Sequence, residues 1–266
     1  MLAWHKHLAV GGALLVVIVM LDQLLPPPIP SSMARASTLV LARDGTPLRV
    51  FVSTDGVWRY PVTPADVSPL YVDALLGYED RWFFQHPGVN PVALVRAVVQ
   101  ALQHGEVISG GSTLTMQVAR LIEPIPRHAG GKLKQMLRAL QIERRLTKAE
   151  ILTLYLERAP FGGTVEGVEA ASWAYLGKPS KQLSRSEAAM LAVLPQAPSR
   201  LRPDRHPQAA RKARDKVLDR MRRQGQWPED ALIEAVQEPV VSRRLVPPML
   251  AALFAQRLRH EQPDAR

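Results

Sequence analysis

Helix-start signals recur along this chain and leave little room for anything but a mainly α fold. Ser68-Pro69 and Asn90-Pro91 each set a small polar residue before a proline suited to a helix's first turn. Gly105 closes the second of these segments. Thr147-Lys-Ala-Glu150 and Ser184-Arg-Ser-Glu187 are capping boxes, each leading into an apolar run. Ala210, Ala213, Val217 and Met221 form a stripe through a further helix, 205–223, which carries eight Arg or Lys and two Asp. The spacing predicts roughly seven helices over a body spanning 63–238. Only "STLVLARDGTPLRVFVSTDGVWRYPV" (37–62) reads otherwise. Its two Asp-Gly pairs between β-branched and apolar segments predict a small β-meander with tight turns.

The charge balance narrows the partners. Formal net charge is +10, from 34 Lys and Arg against 24 Asp and Glu, which favours nucleic acid, a phosphorylated substrate or an acidic membrane. Nucleic acid is disfavoured, because neither a recognised motif nor interleaved aromatics accompany the basic helix. That helix reads as a solvated charged face, with anionic lipid as the functional alternative. The absence of cysteine excludes disulfides, Cys-ligated zinc and thiol nucleophiles. "LAVGGALLVVIVMLDQLL" (8–25) contains one charge, Asp22, and as a helix reaches about 27 Å, marginally a bilayer core. Residues 1–30 are therefore expected to form a cytoplasmic stub and an uncleaved signal-anchor, with the rest outside the cytoplasm. The uncharged part, Leu8–Leu21, has the length of a signal-peptide core, but the candidate cleavage site at 34–36 lies far beyond it.

Two segments carry chemistry. In "ALLGYEDRWFFQHPGVN" (74–90), Glu79 and Asp80 stand between an apolar run and an aromatic cluster. Glu79 falls on the Val72–Leu75 stripe and so faces inward or into a cleft wall, where a carboxyl has a raised pKa and can act as acid or base. The structural alternative is a buried ion pair with Arg96. In "SGGSTLTMQVARL" (109–121) a glycine pair and hydroxyls precede a helix whose free N–H groups suit an anion, above all phosphate. Thr113, Gln117 and Arg120 share one of its faces; Leu114, Val118 and Leu121 share another. Neither a Walker loop nor a dinucleotide fingerprint is present.

Together, "EDRWFFQHPG" (79–88), "RA" at 96 and 97 and "GGSTLTMQVAR" (110–120) resemble the first two signatures of glycosyltransferase family 51, the peptidoglycan transglycosylase domains of class A penicillin-binding proteins. "KLKQMLRALQIERRLTKAEILTLYL" (132–156), "FGGTVEGVEAASWAYLGK" (161–178) and "LSRSEAAMLAVLPQAPS" (183–199) continue the family's order. The resemblance implies a lysozyme-like fold that polymerises lipid II at the outer face of the cytoplasmic membrane. The expected partners are lipid II, the growing lipid-linked glycan and membrane lipids, with other cell-wall synthesis proteins as further candidates. It makes Glu79 the base that takes the proton from the acceptor sugar's 4-hydroxyl. It assigns Gly111, Ser112, Thr113, Gln117, Arg120 and Lys132 to the pyrophosphate. Asp80, Phe83, His86, Arg96 and Gln135 support the site, with His86 and Phe83 shaping the loop beside Glu79.

The chain also departs from the commoner pattern. Met116 replaces a glutamine, Leu121 an asparagine, Gly131 an arginine and Glu157 an asparagine; Glu157 is expected to cap or pair at a helix end. Gln135 stands where most members carry a second glutamate, thought to help the leaving pyrophosphate or hold a metal. Gln is a weak metal ligand, and Glu143 lies two helical turns away. No cofactor is firmly implied; a divalent cation, Mg²⁺ or Mn²⁺, is the one candidate. Ser-x-x-Lys, Ser-x-Asn and Lys-Thr-Gly are absent from the chain. Residues 239–266 read as the start of a linker to a transpeptidase domain absent from this sequence. Rival functions are a non-catalytic, membrane-tethered lipid II-binding scaffold and a lysozyme-like hydrolase.

Overall fold

A computed structural model describes residues 22–30, 37–43, 47–53, 55–104, 111–242 and 250–261. Nearly all of the expected anchor, the 34–36 cleavage site, the Asp44-Gly45 turn, and Gly105 and Gly110 lie outside the described residues. Among those described, eleven α-helices follow two short strands. They are α1 (Pro69–Glu79), α2 (Pro91–His104), α3 (Leu114–Ile122), α4 (Ala129–Glu143), α5 (Lys148–Arg158), α6 (Val168–Tyr175), α7 (Arg185–Val193), α8 (Pro198–Leu201), α9 (Pro207–Arg223), α10 (Glu229–Gln237) and α11 (Ala252–Glu261). The count exceeds the expectation because α6, α8 and α10 lack a Ser or Thr cap and start on Gly167, Pro198 and after Pro228.

The expected meander is instead a two-stranded antiparallel ribbon, β1 (Thr38–Leu41) against β2 (Pro47–Phe51). Its continuation leaves the ribbon through a tight turn at Gly56, φ +76°, where the Ser53 N–H meets the Val57 carbonyl at 3.0 Å. Trp58 then bridges Val165, beside a second small pairing of β3 (Pro160–Gly162) with β4 (Val165–Glu166). The 57–62 stretch joins the core rather than a third strand, because Trp58, Tyr60 and Val62 are all buried.

The helix starts divide by mechanism. Thr147 and Ser184 form complete capping boxes, and Asn90 Oδ1 accepts from the Ala93 N–H at 3.0 Å. Ser68 precedes Pro69 as expected, but its hydroxyl does not cap α1; it donates to the Leu183 carbonyl at 3.4 Å. α7 is the central element. From Ser186 to Val193 all but Glu187 are buried, the pattern of a helix enclosed on every side. It packs against α1, α9 and α10, while α3 packs between α4 and α5. On α9 the stripe Ala210, Ala213, Val217 and Met221 is buried, as its spacing predicts, and so is Arg214. That guanidinium is held by Ser186 Oγ at 2.8 Å and the Val236 carbonyl at 3.0 Å.

Residues 22–25 turn onto the end of α4. Arg145 Nη1 donates to Asp22 Oδ1 at 2.7 Å, and Arg138 Nη1 to the Leu25 carbonyl at 2.5 Å. These contacts draw the last residues of the expected 8–25 span into the folded body. Among the described residues no helix is long and apolar enough to cross a membrane.

Gly167, which starts α6, has φ +84° and ψ 152°, a region nearly restricted to glycine. A Cβ there would lie 2.6 Å from the Glu157 carbonyl oxygen. Gly167→Ala should therefore lower stability by about 1–3 kcal/mol. Thermal unfolding checks this; a melting temperature equal to the parent's would contradict it.

Candidate active site

α1 ends where its polarity changes. Its apolar residues Tyr71, Ala74 and Leu75 are buried, and Glu79 emerges from the last turn at the wall of a cleft of about 1330 Å³. Glu79 is half-buried, with both oxygens engaged by amides. Gln117 Nε2 donates to Oε2 at 2.8 Å and Gln196 Nε2 to Oε1 at 2.7 Å. The expected alternative, an ion pair with Arg96, is not what holds it; Arg96 stands exposed on α2 along the cleft. Burial raises the proton affinity of Glu79 and outweighs the opposing pull of Gln196, Gln117 and Arg220. Beneath it Tyr155 and Tyr71 are buried, and burial together with the Glu79 charge pushes both phenols up.

Asp80 faces the other way. Its Oδ2 accepts from the Leu114 N–H at 2.8 Å, the first residue of α3, and its carboxylate meets His86 Nε2 at 2.9 and 3.0 Å. His86 Nδ1 accepts from the Gly88 N–H at 3.2 Å, which places the ring proton on Nε2, toward Asp80. Gly88 has φ +91°, and a Cβ would stand 2.8 Å from the Ala139 carbonyl oxygen. Phe83 is buried under the ammonium of Lys148, 4.5 Å from its ring centroid. Phe83 and His86 are thus both built into the loop beside Glu79, though α1 ends before Phe83, which lies in a short 3₁₀ turn.

The start of α3 departs from the phosphate reading. The anion at its first N–H is Asp80, and the Met116 N–H is capped by Thr113 Oγ1 at 3.2 Å. Thr113 is buried and also donates to the Gly88 carbonyl at 2.5 Å. Two of the N–H groups that open α3 are therefore engaged from within the protein, and side chains add positive charge nearby. The cleft supplies it: Arg81, Arg96, Arg120, Arg127 and Arg220 line it, against the two carboxylates Glu79 and Asp80. Gln117 and Arg120 face it from α3, and Leu114 and Val118 pack inward as their spacing predicts, but Leu121, expected on the same apolar face, is half-buried and lines the cleft. Burial and neighbouring Arg127 lower the pKa of Arg120.

Gly111 is half-buried and leads to Ser112, whose hydroxyl accepts from Lys132 Nζ. Burial and Arg120 lower the Lys132 pKa. Gly131, beside it, leaves no room for a larger residue, since a Cβ would lie 1.9 Å from the Pro126 carbonyl oxygen. Gln135 is buried between α3 and α4. Glu143 accepts from Thr115 Oγ1 at 2.5 Å and from Lys148 Nζ at 2.7 Å, away from Gln135. Among the described residues no group of three or more His, Asp or Glu is arranged to hold a metal ion. The donors at 135 and 143 do not suit a divalent cation facing the cleft. Glu157 is buried at the end of α5, where the backbone of Val62 donates to it and Arg158 and Arg59 favour its charge, yet burial outweighs them and pushes its carboxyl up.

Sequence reasoning missed Gln196, Arg220, Arg127, Arg81 and Tyr155. Gln196 lies within the "LPQAPS" stretch, where only its place after a buried helix hinted at a role.

A helix-end glutamate gripped by amides thus stands in a cleft lined by arginines, and comparison of the sequence with known proteins identifies the family. Residues 44–222 match the Transglycosylase family, and the chain belongs to it. Penicillin-binding protein 1C of Escherichia coli is 59% identical over 86% of this chain and 30% of its own length. Penicillin-binding protein 1A of Pseudomonas aeruginosa is 41% identical over 73% of this chain and 25% of its own. The chain thus spans under a third of the relatives it matches. The crystal structure of penicillin-binding protein 1A from Haemophilus influenzae covers 86% of this chain at 23% identity, with a TM-score of 0.46, too loose a likeness to bear on the fold.

The raised proton affinity of Glu79 has a stability consequence. Between the ordinary value of 4.5 and the raised one, the folded carboxyl holds a proton that the unfolded chain has lost, so folding weakens as pH rises through that window. Above the window the full penalty of the buried charge remains. Glu79→Gln should therefore melt above the parent at about pH 7, and the gap should shrink by about pH 4. A gap that grows on acidification would contradict this.

Proposed function

We propose that this chain is a peptidoglycan glycosyltransferase that polymerises lipid II into β-1,4 glycan strands and releases undecaprenyl pyrophosphate. The observation that carries the reading is Glu79, a carboxyl of raised proton affinity held by Gln117 and Gln196 inside a cleft lined by five arginines. A base for a sugar hydroxyl needs such an affinity, and a pyrophosphate leaving group needs such charge. A helix-end glutamate at the wall of a helical cleft is in keeping with the lysozyme-like arrangement implied by the resemblance.

In this reading Glu79 takes the proton of the acceptor sugar's 4-hydroxyl as that oxygen bonds to C1 of the donor. The bond from C1 to the pyrophosphate oxygen breaks with inversion, and its electron pair leaves on the phosphate. Gln117 and Gln196 fix both carboxylate oxygens, so the lone pair facing the cleft has one direction. Arg120 and Lys132, with the other cleft arginines, take the developing negative charge. Asp80 and His86 hold Glu79 in place and stay out of the reaction.

The substrate's lipid tail calls for a membrane surface. Trp82 and Val92 line the same cleft with Arg81 and Arg96 and are 49% and 75% exposed; Phe84 and Val95, 63% and 64% exposed, neighbour them in the chain, a surface suited to anionic lipid. We place the domain at the outer face of the cytoplasmic membrane, anchored through its N-terminal apolar stretch.

Incubation with lipid II tests the reading. Polymer supports it, bound but unaltered lipid II points to a scaffold, and cleaved glycan points to a hydrolase. Glu79→Gln should reduce polymerisation by roughly 10²–10⁴-fold while lipid II binding persists. A residual rate above about a tenth of the parent's would contradict a general base. Arg120→Met or Lys132→Met should cost on the order of 10²–10³-fold, as for other fixed charges that stabilise a leaving group.

A further inference from the structure

Gln135 lies one helical turn beyond Lys132 on α4, and only 5% of it is exposed. Its Nε2 donates to the Met116 carbonyl at 2.6 Å, tying α4 to the first turn of α3. A backbone carbonyl can only accept, so the amide has one possible orientation and its oxygen must point the other way. That oxygen lies 3.5 Å from Lys132 Nζ, and the same ammonium donates to Ser112 Oγ at the cleft wall. Lys132 therefore sits between two neutral acceptors, and its charge is not cancelled by either.

We propose that Gln135 is a positioning residue that holds the Lys132 ammonium toward the cleft through a neutral tether, keeping its full charge available for a prenyl pyrophosphate. In the arrangement this chain adopts, a carboxylate at 135, the group most family members carry, would alter both contacts. One oxygen would stand against the Met116 carbonyl oxygen, a repulsive contact, and the other would form an ion pair with Lys132 that competes with the ligand. The chain's neutral residue here is thus matched to its surroundings, and a divalent cation has no role at this position. The proposal rests on the assignment of Lys132 to the pyrophosphate.

The test is binding of farnesyl pyrophosphate to the detergent-solubilised full chain, with thermal unfolding recorded for each variant. Lys132→Met comes first and should weaken binding on the order of tenfold. Unchanged binding there would overturn the site assignment itself. With that established, Gln135→Glu should weaken binding on the order of tenfold at about pH 8 and recover toward the parent as the pH falls. The direction follows from the chemistry: a protonated carboxyl donates to the Met116 carbonyl as the amide does, and it no longer neutralises Lys132. Arg120 is the other charge that acts on Lys132 and is present in both proteins, so its effect cancels in the comparison. Made in the Lys132→Met background, Gln135→Glu should cause no further loss; a further pH-dependent loss there would come from the Met116 contact alone, a purely structural role, and would overturn the proposal. Gln135→Leu, which removes the tether without adding charge, should weaken binding by a smaller, pH-independent factor. If Gln135→Glu binds as tightly as the parent at about pH 8, or if its loss does not vary with pH, the proposal is wrong.

Discussion

The candidate site depends on the carboxylate of Asp80, which joins the ends of two helices. Asp80 ends α1 and, through the Leu114 N–H at 2.8 Å, begins α3. A negative charge at the C-terminus of α1 is unfavourable, and the same charge at the N-terminus of α3 is favourable. The direct, charge-assisted hydrogen bond at α3 decides the balance. His86 closes the other side of Asp80, and Gly88 fixes the His86 tautomer. Joining two helix ends in this way sets Glu79, the residue before Asp80, opposite Gln117 on the first turn of α3. The placement of Glu79 therefore follows from backbone hydrogen bonding one residue away.

Two opposing effects act on Glu79, and their balance defines its chemistry. Burial favours the protonated form, while two amide donors and Arg220 favour the charged form. Burial wins, so the carboxyl binds a proton more strongly than an exposed glutamate does. Among the described residues that line the cleft, positive charge outnumbers negative. Five arginines face two carboxylates, one already engaged by α3 and His86 and the other by two amides. Positive charge held ready in a cleft weakens the empty protein and is offset when a polyanion enters.

Much of this was legible in the sequence, for identifiable reasons. The helices with capping boxes, the buried stripe of α9 and the inward turn of Glu79 are local consequences of period and capping. The split faces of α3 were equally readable, since i, i+4 and i+7 positions cannot avoid one another. What escaped depended on distant partners. The N–H groups opening α3 looked free for phosphate because Asp80 lies 34 residues away in the chain. Gln196 is 117 residues from Glu79, and Arg220 enters the cleft from a helix whose charged face looked merely solvated. The third strand of the expected meander failed because Trp58, Tyr60 and Val62 gain more from burial in the core than from extending a ribbon.

The central claim is that the folded protein holds Glu79 at a proton affinity above that of an ordinary glutamate. Carbon-13 labelling of glutamate side-chain carboxyls, with the Glu79 signal assigned by its loss in Glu79→Gln, allows its titration to be followed directly. The midpoint should lie above the ordinary 4.5. A midpoint at or below that value would show that the amides and arginines outweigh burial, and the account of Glu79 as a tuned base would be wrong.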